Sequence, residues 1–213
     1  MNLYFEEANK LDKDDILSNF KNRFKNDDNL IYLDGNSLGK LPIETISLVS
    51  DLVEKQWGSR LIRSWNEEWI DLSKNISKKI AKLIGAEPDE IFVGDTTSLN
   101  LYKLIYSALN FQKGKNKIIT DSLNFPSDLY VLEGMVNEHF KQHQLEIIGK
   151  QDDVSISSNI ISESSDADTA LLTLSLVTYK SSFLYDMKEV NEIAHAQNSL
   201  VLWDLSHAVG AVP

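Results

Sequence analysis

The sequence predicts an α/β fold, in which a mainly parallel sheet carries helices on both faces and follows an N-terminal helical arm. Short apolar runs without polar alternation, such as Leu200–Trp203, are typical of strands buried on both faces of a parallel sheet. Such runs alternate along the chain with segments whose apolar residues recur at helical spacing. Alternation of these two patterns is the order expected of a doubly wound sheet.

The arm occupies residues 1–29, and the elements after it follow in a regular order. The predicted strands are Leu30–Leu33, Ile91–Val93, Lys117–Asp121, residues 144–149, Thr169–Val177 and the final run that ends on Asp204. The predicted helices are residues 42–57, 66–84, about 96–109, about 126–141 and 187–197. Residues 152–168 are polar and rich in serine, which favours a surface loop or an edge region.

Composition excludes several classes of function. The 213 residues carry a net charge of −11, which argues against binding of nucleic acid or of anionic membrane surfaces. The absence of cysteine excludes a disulfide framework, cysteine-ligated zinc and a cysteine nucleophile, and it fits a reducing cytoplasm. The first fifteen residues do not resemble a signal peptide, no apolar run is long enough to span a membrane, and no metal site is predicted.

The strongest candidate for a binding residue is Asp204, which ends the last apolar run. The carboxyl ends of strands are where open α/β sheets bind ligands, and a carboxylate there needs a cationic partner. No Lys or Arg lies between Lys188 and the end of the chain, so the partner comes from elsewhere in the fold or from a ligand. A protonated pyridine nitrogen is one such ligand. The alternative is an aspartate that caps nearby backbone or pairs with a distant arginine.

A second candidate is the segment Gly94–Asn100, where three consecutive hydroxyl residues follow a predicted strand and open a helix. The first N–H groups of a helix are unpaired and its dipole is positive at that end, so Thr96, Thr97 and Ser98 would suit a phosphate group. The alternative is simple N-capping by Asp95 or Thr96.

Two further segments present chemistry next to predicted turns. In Asn124–Asp128, Phe125 follows a strand end and could face a flat ligand, although Pro126, Ser127 and Asp128 also read as an ordinary helix start. In Asp34–Gly39, a tight turn presents the hydroxyl group of Ser37, and the alternative is a plain connection.

Five segments together resemble the kynureninases, pyridoxal-phosphate enzymes of the aspartate aminotransferase superfamily (fold type I). The resemblance runs from about Tyr32 to Pro213 in order and with consistent spacing. The segments are Tyr32–Gly39, Asp95–Asn100, Asn124–Asp128, Phe183–Met187 and Leu202–Val212. The resemblance implies hydrolysis of L-kynurenine to anthranilate and L-alanine, pyridoxal phosphate as cofactor, a homodimer and a cytoplasmic location. It also implies an arm and small-domain segment at 1–60 and a cofactor-binding large domain at 61–213.

The resemblance assigns a role to each candidate residue. Thr97 and Ser98 would hold the cofactor phosphate beside Thr96, and Asp204 would bind the pyridine nitrogen. Phe125 would stack on the ring, and Pro126, Ser127 and Asp128 of the same motif would also bind the cofactor. Ser175 would contact the cofactor, His207 would lie near the phosphate or the ring oxygen, and Ser37 and Trp65 would face the substrate.

One feature departs from the family pattern. The lysine that forms the Schiff base, and the tyrosine before it, are expected beyond Pro213, and Lys180 is not at the matching position. We therefore expect the chain to correspond to the N-terminal half of a kynureninase, without a catalytic residue of its own and inactive alone. The alternatives are a lyase that resembles cysteine desulfurase and a non-catalytic fragment.

Overall fold

The computed structural model describes residues 2–27, 29–150 and 152–212. Met1 and Asp28 of the predicted arm and Pro213 at the end of the resemblance lie outside these ranges. The chain divides into two compact units, Met1–Ser73 and Lys74–Pro213. Each unit is described by itself. The boundary at residues 60 and 61 stays a prediction about the domains of the whole protein. Within the described ranges, no helix is both long enough and apolar enough to cross a membrane.

The helices fall close to the predicted positions. The α-helices are α1 (Asn2–Asp14), α2 (Ile43–Asp51), α3 (Ile70–Ile84), α4 (Thr97–Phe111), α5 (Pro126–Glu138), α6 (Ser158–Ser164) and α7 (Met187–Ala196). Short 3₁₀-helices cover Ser18–Arg23 and Pro88–Glu90, and π-helical segments cover Leu52–Arg60 and Trp65–Trp69.

The first unit contains the predicted helical arm, α1, and the helix pair that begins with α2. The π-helical segment Leu52–Arg60 continues directly from α2, and the indole nitrogen of Trp69 donates to the side-chain oxygen of Gln56 at 2.7 Å. Apolar residues recur along α2, as predicted, but Ile43 and Ile46 are both exposed in this unit. The apolar pattern of α2 therefore marks a helix face that the first unit leaves exposed to solvent.

The second unit is built on a four-stranded parallel sheet. Its strands are β1 (Lys117–Asp121), β2 (Gln144–Ile148), β3 (Thr169–Ser175) and β4 (Leu200–Asp204). Their order is β2-β1-β3-β4, which makes β3 a central strand, and all seven of its residues are buried. The largely apolar character of β3 follows from this position, since both of its faces are covered by helices.

Two hydrophobic clusters cover the two faces of the sheet. Neighbouring residues Ile118 and Ile119 of β1 belong to different clusters, as the alternation of side chains along a strand requires. On one face α4 and α5 contribute side chains spaced at helical intervals: Leu101, Ile105, Leu109, Leu132 and Met135. On the other face α6 and α7 contribute Ile161, Val190 and Ala194. The predicted fold class, with helices on both faces, is confirmed.

Two predicted strands and one predicted loop are wrong. In the part of the chain that the structure describes, Leu30–Leu33 and Ile91–Val93 are not strands, and neither segment belongs to the four-stranded sheet. Within the predicted surface loop 152–168, residues Ser158–Ser164 form α6. Ile161 fixes this helix because its side chain is fully buried in the core under the polar surface.

Candidate functional site

The candidate site lies where three strands of the second unit end. β1 ends at Asp121, β3 at Ser175 and β4 at Asp204, and the last two are direct partners in the parallel ladder. The ladder therefore places a hydroxyl group beside a carboxyl group at the carboxyl edge of the sheet. This edge is where α/β sheets with crossover connections bind their ligands.

A second carboxyl group meets Asp204 at this edge. Asp128, in the first turn of α5, is 2% exposed, and it lies close enough to Asp204 for the negative charge of that carboxyl group to raise its pKa. Asp128 Oδ1 accepts a hydrogen bond from the Ser127 hydroxyl at 3.2 Å, whereas Oδ2 is buried without another hydrogen-bond partner among the described residues. Neither carboxylate forms an ion pair with a described Lys, Arg or His. Two acids therefore face each other without a cation.

This arrangement changes the protonation of Asp128. Burial raises the pKa of Asp128 to about 6, and the negative charge of the neighbouring Asp204 adds to the shift. Two carboxyl groups that lie close together repel each other when both are ionised, so their proximity favours the protonated form of Asp128 and agrees with its raised pKa. The pair is suited to a ligand group that carries a positive charge and donates a hydrogen bond.

Asp204 itself is only half-buried, and part of it caps the following turn. Its Oδ1 accepts hydrogen bonds from the backbone N–H of Ser206 at 2.8 Å and from the Ser206 hydroxyl at 2.6 Å. The capping alternative is therefore present in the structure. It involves one oxygen of the carboxyl group, and it orients that group for its approach to Asp128.

Aromatic rings line the same edge of the sheet. The ring centroid of Phe125 lies 6.4 Å from that of His207 and 5.0 Å from that of Tyr179. Phe125 is 40% exposed, so one side of its ring remains available for contact with a flat group. His207 Nδ1 is buried and has no hydrogen-bond partner among the described residues, which leaves a polar atom for a ligand to satisfy.

The start of α5 holds Phe125 and Asp128 in place. Phe125 precedes the helix with extended backbone, Pro126 takes the first helical position, and the backbone N–H of Asp128 donates to the Phe125 carbonyl at 2.9 Å. Proline suits this position because its fixed φ is helical and its missing N–H would be unpaired there anyway. The helix-start reading and the ligand-facing reading of this motif are therefore compatible.

A second set of polar side chains at this edge of the sheet forms a hydrogen-bonded network. The hydroxyl group of Tyr185 donates to Asp121 Oδ2, and Asp121 Oδ1 accepts from the backbone N–H of Leu123 at 2.8 Å. Both residues are nearly inaccessible to solvent. Burial raises the pKa of Asp121 and the pKa of Tyr185, and the charge of Asp121 adds to the shift of Tyr185.

Asn124 forms the second part of this network. Its side chain contacts Thr120, Ser175 and the backbone of Phe125. Sequence reasoning missed Asn124, Asp121 and Tyr185 as residues of the site. The available signal was their position: Asp121 ends a predicted strand, Asn124 directly precedes Phe125, and Tyr185 lies in one of the motif segments.

The predicted phosphate cradle lies at the start of α4. Thr96 caps the helix, since its Oγ1 accepts from the backbone N–H of Leu99 at 3.3 Å. The hydroxyl groups of Thr97 and Ser98 form no hydrogen bond with any residue that the structure describes. Capping thus accounts for one of the three hydroxyls, and the other two remain available. Asp95 has a φ of 58°, and it forms an ion pair with Lys103.

The two predicted substrate residues belong to the first unit, where Ser37 and Trp65 are both exposed. Ser37 Oγ donates to Asp34 Oδ1 at 2.8 Å, and the hydroxyl group of Tyr32 closes the same turn by donating to the Leu38 carbonyl at 2.6 Å. Trp65 begins a π-helical segment and is 52% exposed. Their roles stay predictions.

Comparison with known proteins places this geometry in context. The chain is 36% identical over 208 residues to a kynureninase of Pseudomonas fluorescens, covering 95% of this chain and 48% of the relative. It is 35% identical over 213 residues to a kynureninase of Burkholderia mallei, covering 98% of this chain and 50% of the relative. The chain therefore spans about half the length of the curated relatives it matches.

Solved structures show the same fold at low identity. One is a C-DES variant with glycine covalently linked to its PLP cofactor, with a TM-score of 0.79, 12% identity, and coverage of 91% of this chain and 51% of that chain. Another is an apo cysteine desulfurase from Thermococcus onnurineus, with a TM-score of 0.66, 19% identity, and coverage of 92% and 46%. The aminotransferase class-V family model matches residues 31–213. The chain belongs to the aminotransferase class-V family.

Proposed function

We propose that this chain supplies the cofactor-binding half of a kynureninase, which hydrolyses L-kynurenine to anthranilate and L-alanine. The observation that carries the proposal is the pair of buried and half-buried carboxyl groups, Asp128 and Asp204, that meet without a cation at the carboxyl edge of the sheet. The identity to curated kynureninases over nearly the whole chain supports this substrate over others.

The family and its relatives indicate pyridoxal phosphate as the cofactor. The residues present fit this group, because one carboxyl oxygen of Asp128 and Nδ1 of His207 are buried without a hydrogen-bond partner among the described residues. The half-exposed Phe125 ring lies near His207. When bound, pyridoxal phosphate supplies a protonated pyridine ring that withdraws electrons from an attached substrate.

Each residue of the chain then has a proposed task. Asp204, with Asp128 beside it, would hold a proton at the pyridine nitrogen, because a carboxylate within contact distance stabilises the positive charge there. Phe125 would pack against one face of the ring and exclude water from it. Thr97 and Ser98 would donate hydroxyl hydrogen bonds to the phosphate at the positive end of α4.

The remaining assignments are Ser175 at the cofactor, His207 near the phosphate or the ring oxygen, and Ser37 and Trp65 at the substrate. We also propose that the whole protein is a cytoplasmic homodimer. The exposed apolar face of α2 supports an association, because burial of such a face is favourable.

The test is to produce the natural protein that contains this chain, add pyridoxal phosphate, and supply L-kynurenine or L-cysteine in separate assays. We expect cofactor-dependent release of anthranilate, followed by its fluorescence, and no comparable release of sulfide. Turnover of cysteine instead of kynurenine would favour the alternative of a lyase resembling cysteine desulfurase. Cofactor binding without turnover of either substrate would overturn the proposed activity and favour a non-catalytic role.

A further inference from the structure

Asn124 lies between the end of β1 and the start of α5 and is 2% exposed. Its Oδ1 accepts two hydrogen bonds, from the Ser175 hydroxyl at 2.7 Å and from the backbone N–H of Phe125 at 2.9 Å. Its Nδ2 donates to Thr120 Oγ1 at 3.1 Å. One buried carboxamide thus joins two strands of the sheet to the first residues of a helix.

The orientation of this carboxamide follows from its neighbours. A backbone N–H can only donate, so the atom that faces Phe125 must be the oxygen and the nitrogen must face Thr120. The same oxygen receives the hydroxyl proton of Ser175. The lone pairs of the Ser175 hydroxyl therefore remain free to accept from another group.

The contacts of Asn124 lead to both members of the acid pair. On one side, the Phe125 carbonyl accepts from the backbone N–H of Asp128, so the placement of Asp128 depends on that of Phe125. On the other side, Ser175 is the ladder partner of Asp204. The spacing between the two carboxyl groups thus depends on a helix and a strand that Asn124 connects.

We propose that Asn124 is a positioning residue of the cofactor site, which fixes the Ser175 hydroxyl as an acceptor and sets the start of α5 so that Phe125 and Asp128 face Asp204. This inference rests on the proposed function, but Asn124 itself touches only protein groups. Its effect on the cofactor passes through Ser175 and Phe125.

The test compares Asn124→Ala with Thr120→Val, which removes the partner of Nδ2 and leaves both Oδ1 hydrogen bonds in place. Two quantities are measured in the natural protein: the dissociation constant of pyridoxal phosphate, and the pKa of the Asp128 carboxyl group by NMR without cofactor. We expect Asn124→Ala to weaken cofactor binding at least tenfold and to lower the pKa of Asp128 from about 6 towards its ordinary value, since α5 moves away from Asp204. We expect Thr120→Val to weaken binding less than threefold.

A purely structural role would lower the melting temperature of Asn124→Ala without moving either quantity, and that result would overturn the proposal. A wild-type protein that binds no pyridoxal phosphate would refute the proposed function, while the titration of Asp128 would still test Asn124. If Asn124→Ala does not fold, Asn124→Asp serves instead, because it retains the acceptor oxygens. We expect it to bind the cofactor within about threefold of wild type, and a tenfold loss would contradict the acceptor role.

Discussion

Two groups of polar side chains share the carboxyl edge of the sheet, and they differ in whether their atoms have partners. In the first group, Asp121 is paired with Tyr185, and Asn124 is paired with Ser175. In the second group, Asp128 keeps an oxygen and His207 keeps a nitrogen that are buried without a partner among the described residues. Buried polar atoms are normally paired, so the first group reads as scaffold and the second as a surface for a ligand. Three substitutions test this contrast.

The largest effect is expected at Asp204, the carboxyl group next to Asp128 of the second group. Asp204→Asn keeps the size of the side chain but removes the negative charge that would hold a proton at the pyridine nitrogen. We expect kynurenine turnover by the natural protein to fall about a hundredfold or more, which corresponds to roughly 3 kcal/mol of transition-state stabilisation. Asp89→Asn, at an exposed position, is the matched control and should leave turnover unchanged. Equal turnover in the wild type and Asp204→Asn would remove the assignment.

The next effect concerns the paired group. Tyr185→Phe removes the hydroxyl that donates to the buried Asp121, and we expect the free energy of unfolding to fall by about 2 kcal/mol because a buried acceptor loses its partner. Chemical denaturation measures the loss. Tyr130→Phe is the control, since Tyr130 is 70% exposed.

The affinity for pyridoxal phosphate should be the same in Tyr185→Phe as in the wild type, once both are folded. A large loss of affinity with unchanged stability would reverse the contrast, because it would place Tyr185 in the ligand-facing group.

The smallest effect is a dependence of stability on pH at Asp128. Because the pKa of Asp128 in the folded protein, about 6, lies above its ordinary value of 3.8, the stability that protonated Asp128 contributes is complete below about pH 4 and is lost as the pH rises through 6. Asp128→Asn imitates the protonated acid. We expect it to be more stable than the wild type by about 1 to 2 kcal/mol at pH 8, with the difference vanishing towards pH 4.

Urea denaturation at a series of pH values measures this difference, with Asp89→Asn again as the control. An Asp128→Asn variant that is less stable than the wild type at pH 8, with the difference vanishing as the pH falls, would show that Asp128 is stabilised as a carboxylate, as expected if a cation of the protein were its partner.

Helices and strands whose apolar residues follow a regular pattern could be predicted from the sequence. β1 and β4 were predicted almost to the residue from their short apolar runs. The expectation that Leu200–Trp203 is buried on both faces is wrong for the part of the chain that the structure describes, because β4 is an edge strand there and its residues are only half-buried. Leu30–Leu33 and Ile91–Val93 carry a similar local signal but are not strands in the described part of the chain, since a strand also requires a place in a sheet. That requirement is a property of the tertiary fold, so the local sequence could not reveal it.

Part of the arrangement at the candidate site could also be predicted from the sequence. Asp204, Phe125 and His207 stood out because each follows a strand or opens a helix, and the structure brings them to one edge of the sheet. The approach of Asp128 to Asp204 could not be predicted from spacing, because the two residues belong to different βα units. The pairing of Tyr185 with Asp121 was missed for the same reason.

The register between β3 and β4 has a consequence for how this chain tolerates insertions and deletions. Ser175 and Asp204 meet because five consecutive residue pairs, from Leu171 with Leu200 onwards, are in step. A single residue added within β4 would move Asp204 by about 3.3 Å along the ladder and turn its side chain to the opposite face of the sheet. An insertion in the connection between α7 and β4 would leave the ladder intact. Length variation compatible with activity is therefore confined to connections, and the strands themselves keep a fixed count.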